Sequence, residues 1–366
     1  MLSGLGVQLL VARLAGVEGF GTWSLFMNLF LIFSTLSDWG TSLNGPQMMQ
    51  LSGAETWISN ARFWRMRLSW FSAIGMLLVI FIFYSTQASI LLWGLPMVIF
   101  YGFMSDWYDR GIQRPDRVAY RQMTHGVTQL AGVAIVVWLK GSLSMALAIY
   151  AGIAALTFII WHRRQLPEDS QPKNVSWLGT QFPVLLGWSA YFLSYNLPIL
   201  LLGYFSGAAI TGFYSSHYFL YTSLATLSVI TMDVFMAKSM DKGYGKWLLF
   251  FTIIAMCGIA ASKWYYPILF AIKGFSWDAS LTIFMVLLCA LHAWRLFSIN
   301  RLLKQASAKS FGRWNILSLV LHLALIGGAL VILGKSYTPY SASVLLLVAE
   351  GCTLVVFQLI KRRSHV

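Results

Sequence analysis

Three sets of side chains in this sequence have types and spacings that can do chemistry. Ser24, Asn28, Thr35 and Asp38 recur at helical intervals around Leu31, so four hydrogen-bonding groups share one stripe of a helix. Such a stripe must face protein or water. Trp188, Tyr191 and Tyr195 then recur at i, i+3 and i+7, and Tyr214, His217, Tyr218 and Tyr221 at i, i+3, i+4 and i+7, with the amide of Asn196 beside Tyr195. Flat rings with polar rims are platforms on which sugar rings stack and find hydrogen bonds. The same residues can instead glue helices together or form an aromatic belt at a membrane surface. Taken together the stripes read as cavity lining, because Trp188, Tyr191, Tyr218 and Tyr221 lie deeper than a belt would.

The third set is ionisable. Arg13, Glu350 and His322 fall within apolar runs, where each charge is costly unless paired or hydrated. Glu350 lies near the middle of its run, and His322 falls within one helical turn of its depth. They read as ion-coupling candidates or as a buried structural pair. Asp38, Asp106 and Asp233 end apolar runs near one face of the membrane and read as gate or cap residues.

The elements that must position these groups are membrane helices. Of 366 residues 58% are hydrophobic and only 10% charged, with mean hydropathy +0.68. Apolar runs of spanning length fall at 1–17, 21–41, 68–84, 88–104, 123–139, 143–161, 181–204, 208–236, 247–268, 278–297, 315–334 and 341–361. The first is short and is expected to lack a turn or two. No basic segment and small-residue cleavage pattern precede it, so no removable signal peptide is expected. Cys257, Cys289 and Cys352 lie in apolar runs and read as small core residues, not disulfide or metal partners.

The net charge of +14 would suggest a nucleic-acid partner on a soluble protein. Here it has a topological explanation. With both termini cytoplasmic, all but five of the 26 Lys and Arg residues fall on the cytoplasmic side. Lys140, Lys263, Lys273 and Lys335 lie outside and Arg13 lies within the membrane, so no nucleic acid is needed as a partner. The polar, Pro-bearing stretch 162–180 divides the chain into an N-terminal six-helix lobe at 1–161 and a C-terminal one at 181–366. Six crossings return the chain to its starting side, which makes the halves parallel repeats. Gly16-x4-Gly21-Thr22-Trp23-Ser24 and Gly207-x4-Gly212-Phe213-Tyr214-Ser215 stand at the same place in each half and read as tight external turns needing two glycines.

Three segments carry a family resemblance. The run from Ala12-Arg13-Leu14-Ala15-Gly16 to Gly21, followed by Leu36-Ser37-Asp38-Trp39-Gly40, resembles the opening of the O-antigen flippase, or polysaccharide transporter, family. Ser105-Asp106-Trp107-Tyr108-Asp109-Arg110-Gly111 is similar to that family's Asp-Trp-aromatic motif, and Ile199 to Gly207 resembles the start of its second lobe. The resemblance implies an all-α polytopic fold of about twelve helices, in two six-helix lobes around a central cavity, within the superfamily that also holds multidrug extruders. It further implies a bacterial inner-membrane protein that flips a lipid-linked oligosaccharide by alternating access, without cofactor or metal. Membrane lipids and glycan polymerase or assembly proteins are the other implied partners. Within this reading Arg13 either meets a lipid pyrophosphate through its planar fork, pairs with Asp38, or snorkels. Tyr195, Asn196 and Pro198 stand where the family often has an acidic-basic pair.

Enzymatic readings find little support. There is no His-x-x-x-His spacing, no Gly-Lys-Ser/Thr phosphate loop and no paired-Asp sugar-nucleotide motif, and external loops such as Ser85-Thr86-Gln87 are short. A drug or metabolite extruder of the same superfamily is the alternative transporter. A membrane-embedded glycan polymerase or transferase is the alternative of another class.

Overall fold

The computed structural model describes residues 2–49, 54–162, 176–237, 244–270, 275–303, 316–317, 320–321, 323–325, 327–328 and 336–363. Among them the regular elements are all helical, with no strand. Three of these helices, Ser3–Asp38, Glu55–Phe83 and Leu143–Trp161, are long and apolar enough to cross a bilayer. Shorter apolar stretches run over Tyr195–Phe205, Lys246–Ala260, Ala279–Trp294 and Pro339–Val355. The chain is an all-α polytopic membrane protein.

It forms two compact units. The first comprises Met1–Ala15 and Thr22–Phe192, the second Gly16–Gly21 and Leu193–Val366. The division falls at Phe192, inside a helix, whereas the sequence suggested a boundary in the polar stretch 162–180.

The first unit opens on α1 (Leu2–Asp38), which runs through both of the first two predicted spans. Gly16, at φ 65 and ψ −164, breaks its helical geometry, a conformation open to glycine because it has no Cβ. The expected two-glycine turn is therefore a kink. Trp39 and Gly40, at φ 50 and 76, end α1 and start the short α2 (Thr41–Met48). Next comes α3 (Ala54–Phe83), which begins well ahead of the apolar run at 68 because its first half is polar. Its second half is amphipathic in the inverse sense. Trp70, Phe71, Ile74, Leu78, Phe81 and Ile82 are exposed, while Ser69, Ser72, Met76 and Ile80 are buried. A lipid-facing stripe explains this pattern.

The span expected at 88–104 is two pieces, α4 (Ala88–Leu91) and α5 (Gly94–Tyr101), joined by a turn at Leu92 and Trp93. Bonds from Leu92 N to Ala88 O and from Leu95 N to Leu92 O hold the pieces together. A methyl group at Gly94 would meet the Met76 side chain, so the turn sits close against α3. α6 (Asp106–Gly111) follows. α7 (Pro115–Trp138) takes Pro115 in its first turn, where a missing N–H costs nothing. α8 (Leu143–His162) then leads to α9 (Ser176–Phe205). Within this unit α3 packs on α5, α5 on α8, α7 on α8 and α2 on α6.

In the second unit Gly207, at φ 82, separates α9 from α10 (Gly207–Ala237). α11 (Tyr244–Ala260) and α12 (Ser262–Leu269) divide one predicted span at Ala261. α13 (Ala279–Leu303) and α14 (Pro339–Arg363) complete the described helices. α10, α11 and α13 pack on one another, and α13 packs on α14. The span expected at 315–334 falls largely outside the described residues.

Candidate functional site

In the first unit the candidate gate residues are held in buried ion pairs. Asp38 stands at the junction of α1 and α2. Its Oδ2 accepts the Ser42 N–H (2.9 Å), and its Oδ1 accepts the hydroxyls of Thr41 (2.9 Å) and Ser42 (2.7 Å), so it caps α2. The same Oδ1 lies 3.3 Å from Nη2 of Arg65, and both side chains are fully buried. Arg65 also faces the Tyr101 carbonyl (3.4 Å) and lies over the Tyr101 ring, while its Nε and Nη1 find no hydrogen-bond partner. The Asp38 partner is thus Arg65 of α3, and the sequence-level alternative of Arg13 is corrected. Arg13 is exposed on α1.

Asp106 and Asp109 lie one turn apart on α6, and both reach Arg121 of α7. Arg121 Nη2 lies 3.2 Å from Asp106 Oδ1 and also pairs with Asp109 Oδ2. Gln122 donates to Asp106 (3.2 Å), and Arg121 donates to the Ser105 hydroxyl (3.2 Å). Burial raises the Asp109 carboxyl above its ordinary value, opposed by the guanidiniums of Arg121 and Arg117. On the other face of α6, Trp107 packs edge-on against Trp57, which packs in turn on Trp177. The Asp-Trp-aromatic motif therefore works in two directions, its carboxylates binding α7 and its indole binding α3 and α9. A cleft of about 50 Å³ adjoins the ion pairs, lined by residues that include Asp106, Gln122, His125, Phe158 and Trp161.

The polar stripe of α1 is buried along its length. Asn28 donates to the Ser24 carbonyl (2.7 Å) and Thr35 to the Leu31 carbonyl (2.7 Å). Oδ1 of Asn28 and Nε1 of Trp23 are buried, with no hydrogen-bond partner among the described residues.

In the second unit Tyr195, Tyr214, Tyr218 and Tyr221 form one packed column with His292. The Tyr195 hydroxyl meets Nδ1 of His292 at 2.7 Å, and the Tyr218 hydroxyl donates to the Tyr195 carbonyl at 3.1 Å. Tyr214 stacks on Tyr218 (5.8 Å) and Tyr218 tilts on Tyr221 (5.3 Å), whose ring lies 6.4 Å from His292. Tyr195, Asn196, His217, Tyr218 and Tyr221 are all buried. His217 points away from this column, toward Tyr266 and Asp278. His292 escaped the sequence reading, since a lone histidine in the apolar run of α13 forms no periodic pattern. Glu350 is wholly buried. The side chains of Trp188, Tyr191 and Asp233, and residue His322 altogether, lie outside the described residues.

The whole-chain fold has known counterparts. No protein-family model matches the sequence, and no curated protein does. Among solved structures, a multidrug resistance MATE family transporter of the MOP superfamily in an inward-facing conformation superposes with a TM-score of 0.66. It is 13% identical and covers 98% of this chain and 93% of its own. The lipid II flippase MurJ, in an inward closed conformation, gives 0.67 at 12% identity over 99% of this chain and 85% of its own. A MOP superfamily transporter from Pyrococcus furiosus gives 0.61 at 14% identity over 99% and 91%. The fold is therefore the one seen in MOP superfamily transporters.

Proposed function

We propose that this protein is a transporter that flips a lipid-linked oligosaccharide across a bacterial inner membrane by alternating access, with both termini in the cytoplasm. The observation that carries the reading is the near full-length likeness to a lipid flippase and a drug exporter in a chain bearing the polysaccharide-transporter motifs at Arg13–Gly21 and Asp106–Gly111. The fold supports a transporter, and the motifs favour a saccharide as its cargo. In this mechanism the glycan and pyrophosphate enter a hydrated cavity while the polyprenyl tail stays in lipid. Arg13, charged and exposed on a membrane-spanning helix, is the residue that meets the pyrophosphate.

Asn28, on the polar stripe of α1, is a proposed saccharide contact, because its amide can exchange hydrogen bonds with sugar hydroxyls. Tyr195, Asn196, Tyr218 and Tyr221 are proposed saccharide contacts of the second unit, and Trp188 and Tyr191 are proposed on their helical spacing alone. Asp38 and Asp106 act as gate residues through their guanidinium partners, and glycan polymerase or assembly proteins receive the product. An extruder of drugs or metabolites is the second reading, favoured by the likeness to the multidrug transporter. Deleting the gene in its native host decides between them. A lipid-linked glycan accumulating on the cytoplasmic leaflet supports the flippase, and unchanged glycan lipids with increased drug sensitivity support the extruder.

A further inference from the structure

A neutral imidazole has one nitrogen that donates and one that accepts, and its neighbours decide which is which. His217 of α10 is buried, with Nε2 lying 3.1 Å from the main-chain nitrogen of Asp278. A main-chain N–H can only donate, so Nε2 must hold a lone pair. The ring proton is then on Nδ1, 3.1 Å from the Phe213 carbonyl and 3.4 Å from the Ser216 hydroxyl. Both nitrogens are committed, and they fix the ring as neutral.

The Asp278 carboxylate is equally committed. Oδ1 accepts the Leu281 N–H (2.8 Å) and caps the first turn of α13. Oδ2 accepts the hydroxyl of Tyr340 (2.7 Å), which stands in the first turn of α14. The preceding residue, Trp277, donates to the Ser262 hydroxyl of α12 (2.9 Å), and Ser216 is bonded to the Tyr266 hydroxyl (2.5 Å). Four helices of the second unit thus meet at one histidine and one aspartate.

We propose that this junction is a proton-operated latch. Protonation of His217 at Nε2 breaks its bond to the Asp278 main chain, draws the Asp278 carboxylate off Tyr340 and releases the first turn of α14.

A proton taken from water by Nε2 sets two N–H donors against each other, so the 3.1 Å contact turns repulsive. The adjacent acceptor able to satisfy the imidazolium is the Asp278 carboxylate, which must give up a bond to reach it. The Leu281 N–H belongs to the first turn of α13 and has no intrahelical acceptor to fall back on. Tyr340 is exposed, and its hydroxyl can turn to water at little cost. The link to α14 is the bond that yields.

The described titratable groups facing His217 are Tyr266 of α12, with ring centroids 4.9 Å apart, and Asp278 ahead of α13; Tyr340 of α14 reaches it through Asp278. The Tyr266 ring beside the imidazole favours a cation there. The latch engages no substrate and does not rest on the transport reading.

Hydrogen exchange on the full chain in lipid nanodiscs tests it, at pH 8 and pH 5, corrected for the intrinsic pH dependence of exchange. The probes are the amides of residues 342–346 in α14, with α8 as the internal reference. Protection in wild type should fall about tenfold at pH 5 relative to α8. His217→Gln can accept from Asp278 yet cannot be protonated, and should keep the pH 8 protection at both values. Tyr340→Phe lacks the latched bond, and its α14 amides should be weakly protected at both. Absence of the step in wild type overturns the proposal, as does its persistence in either variant. Should His217→Gln fail to fold, as lost α8 protection would reveal, the exposed Tyr340→Phe position decides alone.

Discussion

Gly21 and Gly212 each occupy space that the other's surroundings deny to a side chain. A methyl group on Gly21 would overlap the carbonyl oxygen of Ala208, and one on Gly212 would overlap the carbonyl oxygen of Val17. Each would also press on the main-chain nitrogen of the opposite glycine. Both motifs begin with a glycine at positive φ, Gly16 at 65 and Gly207 at 82. The two Gly-x4-Gly segments are thus copies that pack face to face within the second unit, α-carbon hydrogens against carbonyl oxygens.

Gly21→Ala and Gly212→Ala should each destabilise the protein by about 1–3 kcal/mol or more through overpacking. Because they disturb one contact, the double variant should lose less than the sum. Gly4→Ala and Gly152→Ala meet nothing within 4 Å and should be neutral or mildly stabilising. Thermal unfolding in detergent compares the four, and equal shifts for both pairs would show that the close approach is not structural.

The Asp38–Arg65 pair should behave as a buried ion pair. Asp38→Asn leaves the buried guanidinium without its carboxylate, facing the Tyr101 carbonyl, at a cost of about 3–5 kcal/mol. Asp38→Asn combined with Arg65→Met removes the stranded charge and should recover much of that loss. A double-mutant cycle in thermal stability measures the coupling, and a harmless Asp38→Asn would mean that the pair holds nothing together.

Loop charge makes a topological prediction. In a chain with Cys257, Cys289 and Cys352 replaced, Gln113→Cys should react with an impermeant maleimide from the cytoplasmic side only. Thr86→Cys should react from outside only. Both positions are exposed, so reversed labelling would refute the assigned sidedness directly.

The sequence was most legible where one force acted alone. The uniformly apolar run at 143–161 became α8, Leu143–His162, nearly to the residue. The start of α3 was hidden because hydropathy marks only its apolar half, whereas Glu55, Arg62, Arg65 and Arg67 lie in the polar half of the same helix. Arg65 and Arg121 counted as loop cations by charge, yet both turn inward to carboxylates on other helices. No local spacing can announce a partner so far along the chain. The aromatic stripe of α10 was visible as a period, but its division between the Tyr195–His292 column and the His217–Asp278 junction depends on α13. The glycine repeat was legible as a pattern, and its reciprocal packing was not.

Arg13 should matter to export far more than a cation of the C-terminal tail. At matched expression, Arg13→Ala should cut glycan export sharply while Arg363→Ala leaves it intact, and Arg13→Lys should rescue in part, as a point charge replaces a planar fork. Full export by Arg13→Ala would remove the residue from the proposed site.

Movement of a lipid-linked oligosaccharide between leaflets, as proposed above, can be measured directly. The purified chain is reconstituted into vesicles carrying a polyprenyl-pyrophosphate glycan, and the rate at which inner-leaflet glycan becomes accessible to an external glycan-cleaving enzyme is followed. Access should be well above that of protein-free vesicles, and slowed by Arg13→Ala and by Asn28→Ala. Access no faster than in protein-free vesicles, with the same preparation transporting a fluorescent organic cation, would contradict it.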